Sequence, residues 1–318
     1  MIRTYLILTL LVLVTFPLLS KNYKQVDEKV KTYPKSFSNL DKLAGQINKD
    51  FKKPEEKARA IYAWIAMNVS YDVKGMNNTK SVSYSYRSEE EKEKIEKKME
   101  EDLALKTMKQ KKAVCQGYST LYKILCEKTA LECEIISGTS KTTPQDIGKA
   151  PGRMDHAWNA IKLNGKWKLV DATWGAGYMD QSTGKFKKIY SDFYFLTDPD
   201  KFFLKHYPED KKWLLTNKTA KDFTIQPLYY RNYFESDLEI VEPMEGEIKM
   251  PKNKIFKLAI KNCKDKNVII SMANGKNVQQ ISPTSKKSIC YYEYTLKGSG
   301  FLNVYVNNEA IVTYKIFN

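Results

Sequence analysis

Histidine is close to absent from this chain, with two residues, His156 and His206, among 318. No histidine-rich cluster and no C-x-x-C pair offers four zinc ligands, so neither a metal nor another cofactor is expected. Cysteine is sparse as well: Cys115, Cys126, Cys133, Cys263 and Cys290 are too few for a disulfide-built scaffold, and an odd number in an exported protein leaves at least one thiol unpaired. Glycine (14) and proline (11) are too rare for a collagen-like or low-complexity chain, and 42% apolar residues exclude a mostly disordered one. Arginine contributes only Arg3, Arg59, Arg87, Arg153 and Arg231 to the 53 basic residues. Arginine has the planar fork that suits phosphate and guanine, so a net charge of +16 built from lysine does not predict a specific nucleic-acid partner. It predicts attraction to anionic envelope polymers or acidic substrates.

Long apolar runs are confined to Tyr5–Phe16, which follows Arg3 and precedes Pro17, Leu18, Leu19, Ser20 and Lys21. A short cationic region, an apolar stretch of about a dozen residues and a small exit residue describe a secretory signal over residues 1–20. The expectation is an exported protein (periplasmic, cell-surface or extracellular) with no transmembrane domain after signal removal. A retained N-terminal membrane anchor is the alternative, although the run is shorter than the ~20 residues that span a bilayer. The length suits roughly one to three domains of about 100–200 residues, and the texture of the sequence divides at about residue 225.

Before that point, Pro54 opens a helical pattern with Glu55 and Glu56 at its start and Ile61, Trp64 and Ile65 on one face, ending near Asn68. Residues 88–112 read as a charged helical insertion, acidic at its start and basic at its end: a solvated helix, or alternatively a regulatory lid. From 226 to 318, short β-branched and aromatic segments alternate with Asn-Gly, Pro-Thr-Ser and Gly-Ser-Gly turns, which predicts a small antiparallel β-sandwich of the Ig-like kind. Cys263 and Cys290 both fall there and could pair.

The chemistry concentrates around three residues. Asn164-Gly165 between two strand-like runs predicts a tight hairpin, in which Leu163 pairs with Lys166, Trp158 faces Asp171 and His156 faces Thr173. His156 and Asp171 then lie diagonally on one face, within reach of each other. A carboxylate that fixes the imidazole's tautomer and stabilises its cation is what a general base requires. His206, in Lys205-His206-Tyr207-Pro208, shows no such partner and reads as an ordinary loop or surface residue. Cys115 begins a stretch of helical spacing (Tyr118, Leu121, Tyr122, Leu125) behind Lys111 and Lys112. Helix start and lysine pair both favour the thiolate, and the first-turn N–H groups can face a developing oxyanion. Cys126 reads as a buried helical thiol and Cys133 as a strand residue.

Val-Cys-Gln-Gly-Tyr at 114–118, Asp-His-Ala-Trp-Asn at 155–159 and Trp-Lys-Leu-Val-Asp-Ala-Thr-Trp-Gly-Ala-Gly at 167–177 resemble, in order and spacing, the three catalytic blocks of the transglutaminase-like superfamily. Arg59–Ile65 with Tyr71-Asp72, Phe193–Pro199 and His206–Asp210 with Trp213-Leu214-Leu215 look like its kyphoscoliosis-peptidase branch. The likeness covers roughly residues 40–220. It implies an α+β, papain-like core over 21–225 with nucleophile Cys115, base His156 and orienting Asp171, followed by the sandwich at 226–318. It also implies thiol acyl transfer on protein or peptide amides, with peptidase, deamidase or transglutaminase outcomes. An upstream polar or aromatic side chain often completes the oxyanion site in the superfamily. Tyr71 is the candidate, with a packed tyrosine as the alternative. The glycanase relatives' paired zinc cysteines are missing here. A non-catalytic scaffold that binds a partner is the competing expectation.

Overall fold

The structure, a computed structural model, describes residues 23–78, 84–180, 183–264, 266–272, 277–286 and 288–318. The expected signal at 1–20 lies outside the described residues. Among the described residues, no helix is long and apolar enough to cross a membrane.

The first part is led by helices α1 (Lys24–Lys31), α2 (Leu40–Asp50), α3 (Pro54–Asn68), α4 (Glu89–Gln110) and α5 (Cys115–Lys128). Proline at the first turn and the acids beside it start α3 as its sequence predicts. Its residues from Ala58 to Ala66 are all buried, Arg59 included. That guanidinium is neutralised by Asp27, with bonds of 2.8 and 2.5 Å, and by Asp192. The rings of Tyr23, Tyr62, Tyr190 and Phe195 surround it, an arrangement suited to a desolvated cation. Helix α4 carries the charged segment. Ser88 caps its start by accepting from Glu91 N–H, while Ala104, Thr107 and Met108 near its end are buried. The charged segment is thus a long helix with an exposed start and an end anchored in the core.

Two short strands, β1 (Ser70–Tyr71) and β2 (Lys112–Ala113), pair in parallel just ahead of α5. A five-stranded antiparallel sheet follows, built from β3 (Cys133–Ser140), β4 (His156–Leu163), β5 (Lys166–Val170), a small separate hairpin of β6 (Gly177–Asp180) and β7 (Lys185–Lys188), then β8 (Phe195–Thr197) and β9 (His206–Pro208), in the order β8-β5-β4-β3-β9. The β4–β5 turn adopts positive φ at both Asn164 and Gly165, the two-residue geometry that matches strand twist. Its register is the expected one, Leu163 opposite Lys166 and Lys162 opposite Trp167. Helix α5, α3 and this sheet share one apolar core, with Trp64, Tyr62, Tyr118, Tyr122, Trp158 and Ile161 fully or almost fully buried.

Three short helices follow in the chain, α6 (Ala172–Gly175), α7 (Pro199–Phe203) and α8 (Ala220–Ile225); Ala172 and Phe202 belong to the first core, and Phe203, Tyr207, Leu214 and Phe223 form a small separate cluster. Buried Lys141, just past β3, donates to the carbonyls of Phe223 (2.6 Å) and Gln226 (2.9 Å) at the end of α8. It ties the sheet to the segment that leads into the second core.

That second core lies between two sheets. One has the order β10-β19-β18-β14-β15, with β12 alongside β19; the other has β11-β13-β17-β16. Their ranges are β10 Leu228–Tyr229, β11 Glu239–Glu242, β12 Glu247–Lys249, β13 Ile255–Lys261, β14 Val268–Met272, β15 Asn277–Gln280, β16 Thr284–Lys286, β17 Ile289–Thr295, β18 Gly300–Val306 and β19 Glu309–Phe317. All pairings are antiparallel except β12 with β19. Alternation puts Phe256, Leu258 and Ile260 of one sheet and Ile270, Leu302 and Val304 of the other into the shared interior. Cys263 and Cys290 form a disulfide there. The chain is therefore α+β, with a mixed helix and strand core followed by antiparallel sheets.

Candidate active site

Cys115 is the first residue of α5. Val114 occupies the cap position in an extended conformation, and no side chain caps the exposed N–H groups behind it. The thiol is partly buried, and the positive end of the helix favours its anion. β4 begins at His156. Asn159 locks that strand to α5, since its side-chain amide donates to Ser119 O (3.0 Å) on the helix and to Glu134 O (3.2 Å) on β3. This clamp sets the distance between helix start and strand start and brings Cys115 and His156 into electrostatic reach of each other.

Asp171 completes the row by a route that differs from the extrapolated hairpin. The β4–β5 ladder ends at Asn159 opposite Val170, and the chain then turns into α6, so Trp158 and Thr173 do not take the paired positions expected of them. Asp171 instead caps α6, its Oδ1 accepting from the N–H groups of Thr173 (2.9 Å) and Trp174 (3.0 Å). Its own N–H donates to Tyr194 O at 2.9 Å. So fixed, its Oδ2 accepts from His156 Nε2 at 2.7 Å, which leaves Nδ1 for the sulfur. Trp174 stacks on the His156 ring with centroids 5.0 Å apart.

His206 corrects the sequence reading. Instead of lying in a loop or at the surface, it is a buried residue of β9, and its Nε2 lies 3.0 Å from the same Asp171 Oδ2. β9 packs against β3 with Ser140 opposite His206, while β3 pairs on its other side with β4, Gly138 opposite His156. The scarcity of histidine was the available signal, since both imidazoles of the chain meet on one carboxylate. The ligating atoms of His156, Asp171 and His206 lie within 4.8 Å of one another, but they are engaged in hydrogen bonds to each other.

Electrostatics follow from this geometry. Burial is the largest influence on Cys115 and opposes ionisation. The hydrogen bond and charge of His156 and the N–H of Ala157 outweigh it and hold the thiol below its ordinary range. Burial likewise opposes the His156 cation, yet the charge and hydrogen bond of Asp171, helped by Cys115, lift it to about 10. Burial would raise Asp171, but His156 and His206 hold it well below the usual carboxylate range. Imidazolium and carboxylate are thus the favoured forms at neutral pH, and the Cys115 thiol is shifted toward its anion. The lysine pair contributes differently from expectation: Lys112 pairs with Asp72 at 3.0 Å, and Lys111 is the left-handed residue that ends α4. Tyr71, opposite Ala113 in the short parallel pair, is half-buried beside Phe186. Its hydroxyl is kept protonated by burial first and by Cys115 and Asp171 second.

Residues 41–172 match the model of the transglutaminase-like superfamily, so over this stretch the chain is similar to that superfamily. Among characterised proteins the chain is similar to the kyphoscoliosis peptidases of Homo sapiens (29% identical over 75% of this chain and 34% of that one) and Mus musculus (33% over 56% and 24%). It is also similar to Hillarin of Drosophila melanogaster (26% over 83% and 29%). The chain spans about a quarter to a third of the length of these relatives. A solved transglutaminase structure aligns with 57% of the chain and 38% of its own at 17% identity and a TM-score of 0.29.

Proposed function

We propose that the protein is a thiol acyl-transfer enzyme acting on protein or peptide amides, with Cys115 as nucleophile, His156 as proton acceptor and donor, and Asp171 as the group that orients His156. The observation that carries this reading is the 2.7 Å bond between His156 and Asp171 beside Cys115, with the thiol driven toward its anion and the imidazole toward its cation. The sulfur attacks the amide carbonyl, and the resulting oxyanion meets the N–H groups of the first turn of α5, where no side chain caps the helix. His156 then passes its proton to the leaving amine, which departs as the thioester forms. Water or an amine, deprotonated by the now neutral His156, attacks the thioester and releases the sulfur. The peptidase name of two of the relatives named above supports hydrolysis of a peptide bond as the first outcome to seek.

We also propose that the protein works in an oxidising compartment outside the cytoplasm, a reading supported by the Cys263–Cys290 bond.

Incubation of purified protein with candidate peptides, followed by mass spectrometry, tests the activity. A chain break is expected for a peptidase, loss of ammonia with a cross-link for amine transfer, and a one-dalton gain for deamidation. Cys115→Ala should abolish whichever product is found. Failure of amide and activated-ester probes to form a thioester at Cys115, with a partner retained in pull-downs, would establish a scaffold instead.

A further inference from the structure

We propose that His206 is a positioning residue for this reaction. By donating its Nε2 proton to the carboxylate oxygen that His156 also uses, it sets how tightly Asp171 holds the His156 imidazolium, and so where the Cys115–His156 pair gains and loses protons. The proposal rests on the reading of Cys115, His156 and Asp171 given above.

Asp171 has four donors and two oxygens. Oδ1 is occupied by two backbone N–H groups, and Oδ2 is shared by His156 Nε2 at 2.7 Å and His206 Nε2 at 3.0 Å. The backbone bonds alone fix the plane of the carboxylate, so His206 is not needed to orient it. Its effect is on the charge that reaches His156: a second donor on one oxygen spreads that oxygen's negative charge over two bonds and weakens its hold on each.

The effect depends on where His206 carries its proton. Both of its ring nitrogens face acceptors, since Nδ1 lies 3.2 Å from Phe202 O. A neutral imidazole has one N–H for the two. Burial opposes a second proton, and the attraction of Asp171 does not offset it beside the His156 cation, so the ring stays neutral down to about pH 4. The shorter contact to a full negative charge then takes the proton, which places it on Nε2. Phe202, stacked on the ring at 3.9 Å, and Trp174, at 4.3 Å, hold that orientation.

The other titratable groups facing this cluster do not compete for the role. Tyr62 on α3, Tyr194 ahead of β8, Tyr71 on β1 and Tyr118 on α5 are all kept protonated, with burial the largest cause in each. Lys205 lies over the Trp174 ring, 4.9 Å from its centre, and burial lowers it to about 8.

The test is the pH dependence of iodoacetamide alkylation at Cys115, followed in the full chain by mass spectrometry of the Cys115 peptide, for wild type, His206→Gln and His206→Leu. This readout needs no turnover. Leucine removes the donor, so Asp171 should grip His156 harder, moving the alkaline inflection up by about half a unit. Glutamine restores an N–H at the Nε2 position and should keep the wild-type profile. Superimposed profiles for wild type and H206L, a downward alkaline shift in H206L, or equal displacement of both variants would overturn the proposal.

Imidazole 15N spectra of the wild-type protein at neutral pH supply a check that needs no variant to fold. They should show His206 neutral with its proton on Nε2. A proton on Nδ1, or on both nitrogens, overturns the proposal. A shift in H206L in a protein that turns over no amide would refute the enzyme reading and leave this one standing. An active enzyme with unshifted H206L would do the reverse.

Discussion

His206 is buried neutral, and that has a cost at low pH. Its pKa in the folded chain, about 4, lies below its ordinary 6.5, so between these values the unfolded chain binds a proton that the folded one does not. Stability should therefore fall as pH drops from 6.5 toward 4, by up to about 1.4 kcal/mol per pH unit from this group. Asp171, held below its ordinary value, extends the loss in the same direction at still lower pH. His156, raised to about 10, contributes stability that is fully present below 6.5 and is lost only on the alkaline side. Thermal unfolding of wild type and H206Q across pH 4–6.5 checks this, with a flatter fall expected for H206Q. Cys115, His156 and Asp171 were legible in the sequence because each sits in a short motif beside a local signal: a helix start, a strand, a hairpin. His206 was not, because its partner is 35 residues away and reaches it across three strand pairings, β5 with β4, β4 with β3 and β3 with β9, that no local pattern encodes.

The crossing of β4, β3 and β9 depends on Gly138. A Cβ there would collide with the Trp158 ring on one side and with the Tyr207 carbonyl and Pro208 on the other. Neither a backbone strand nor a buried indole can retreat cheaply. Gly138→Ala should destabilise the protein by about 1–3 kcal/mol and reduce the selectivity of Cys115 labelling, which urea unfolding and the alkylation assay would register together. At this scale the sequence was largely readable. Asn164-Gly165 defined the register of β4 and β5, Pro54 defined the start of α3, and the short aromatic segments after residue 250 became strands. The path beyond Val170 was harder to read, because Asp171 satisfies its backbone neighbours better as a helix cap than as a continued strand residue. The charged segment was also ambiguous, since only the end of α4 is buried and most of its sequence belongs to the solvent face.

Two apolar interiors stabilise the molecule, one around α3, α5 and the five-stranded sheet and one between the later sheets. Only the second holds a disulfide, Cys263–Cys290, which spans 27 residues. By chain entropy such a crosslink contributes about 3.5 kcal/mol. Replacing both cysteines by serine should lower the unfolding midpoint reported by the second core, while preferential labelling of Cys115 at neutral pH persists. Calorimetry with parallel peptide mapping would show both. The strand order of the first sheet also bears on synthesis. β9 is the last of its strands in the chain, yet it occupies the edge beside β3. A ribosome working from the N-terminus therefore completes the thiol's helix and the β4–β5 hairpin well before it delivers His206. During that interval the nascent polypeptide holds Cys115, His156 and Asp171 without the second imidazole on Asp171.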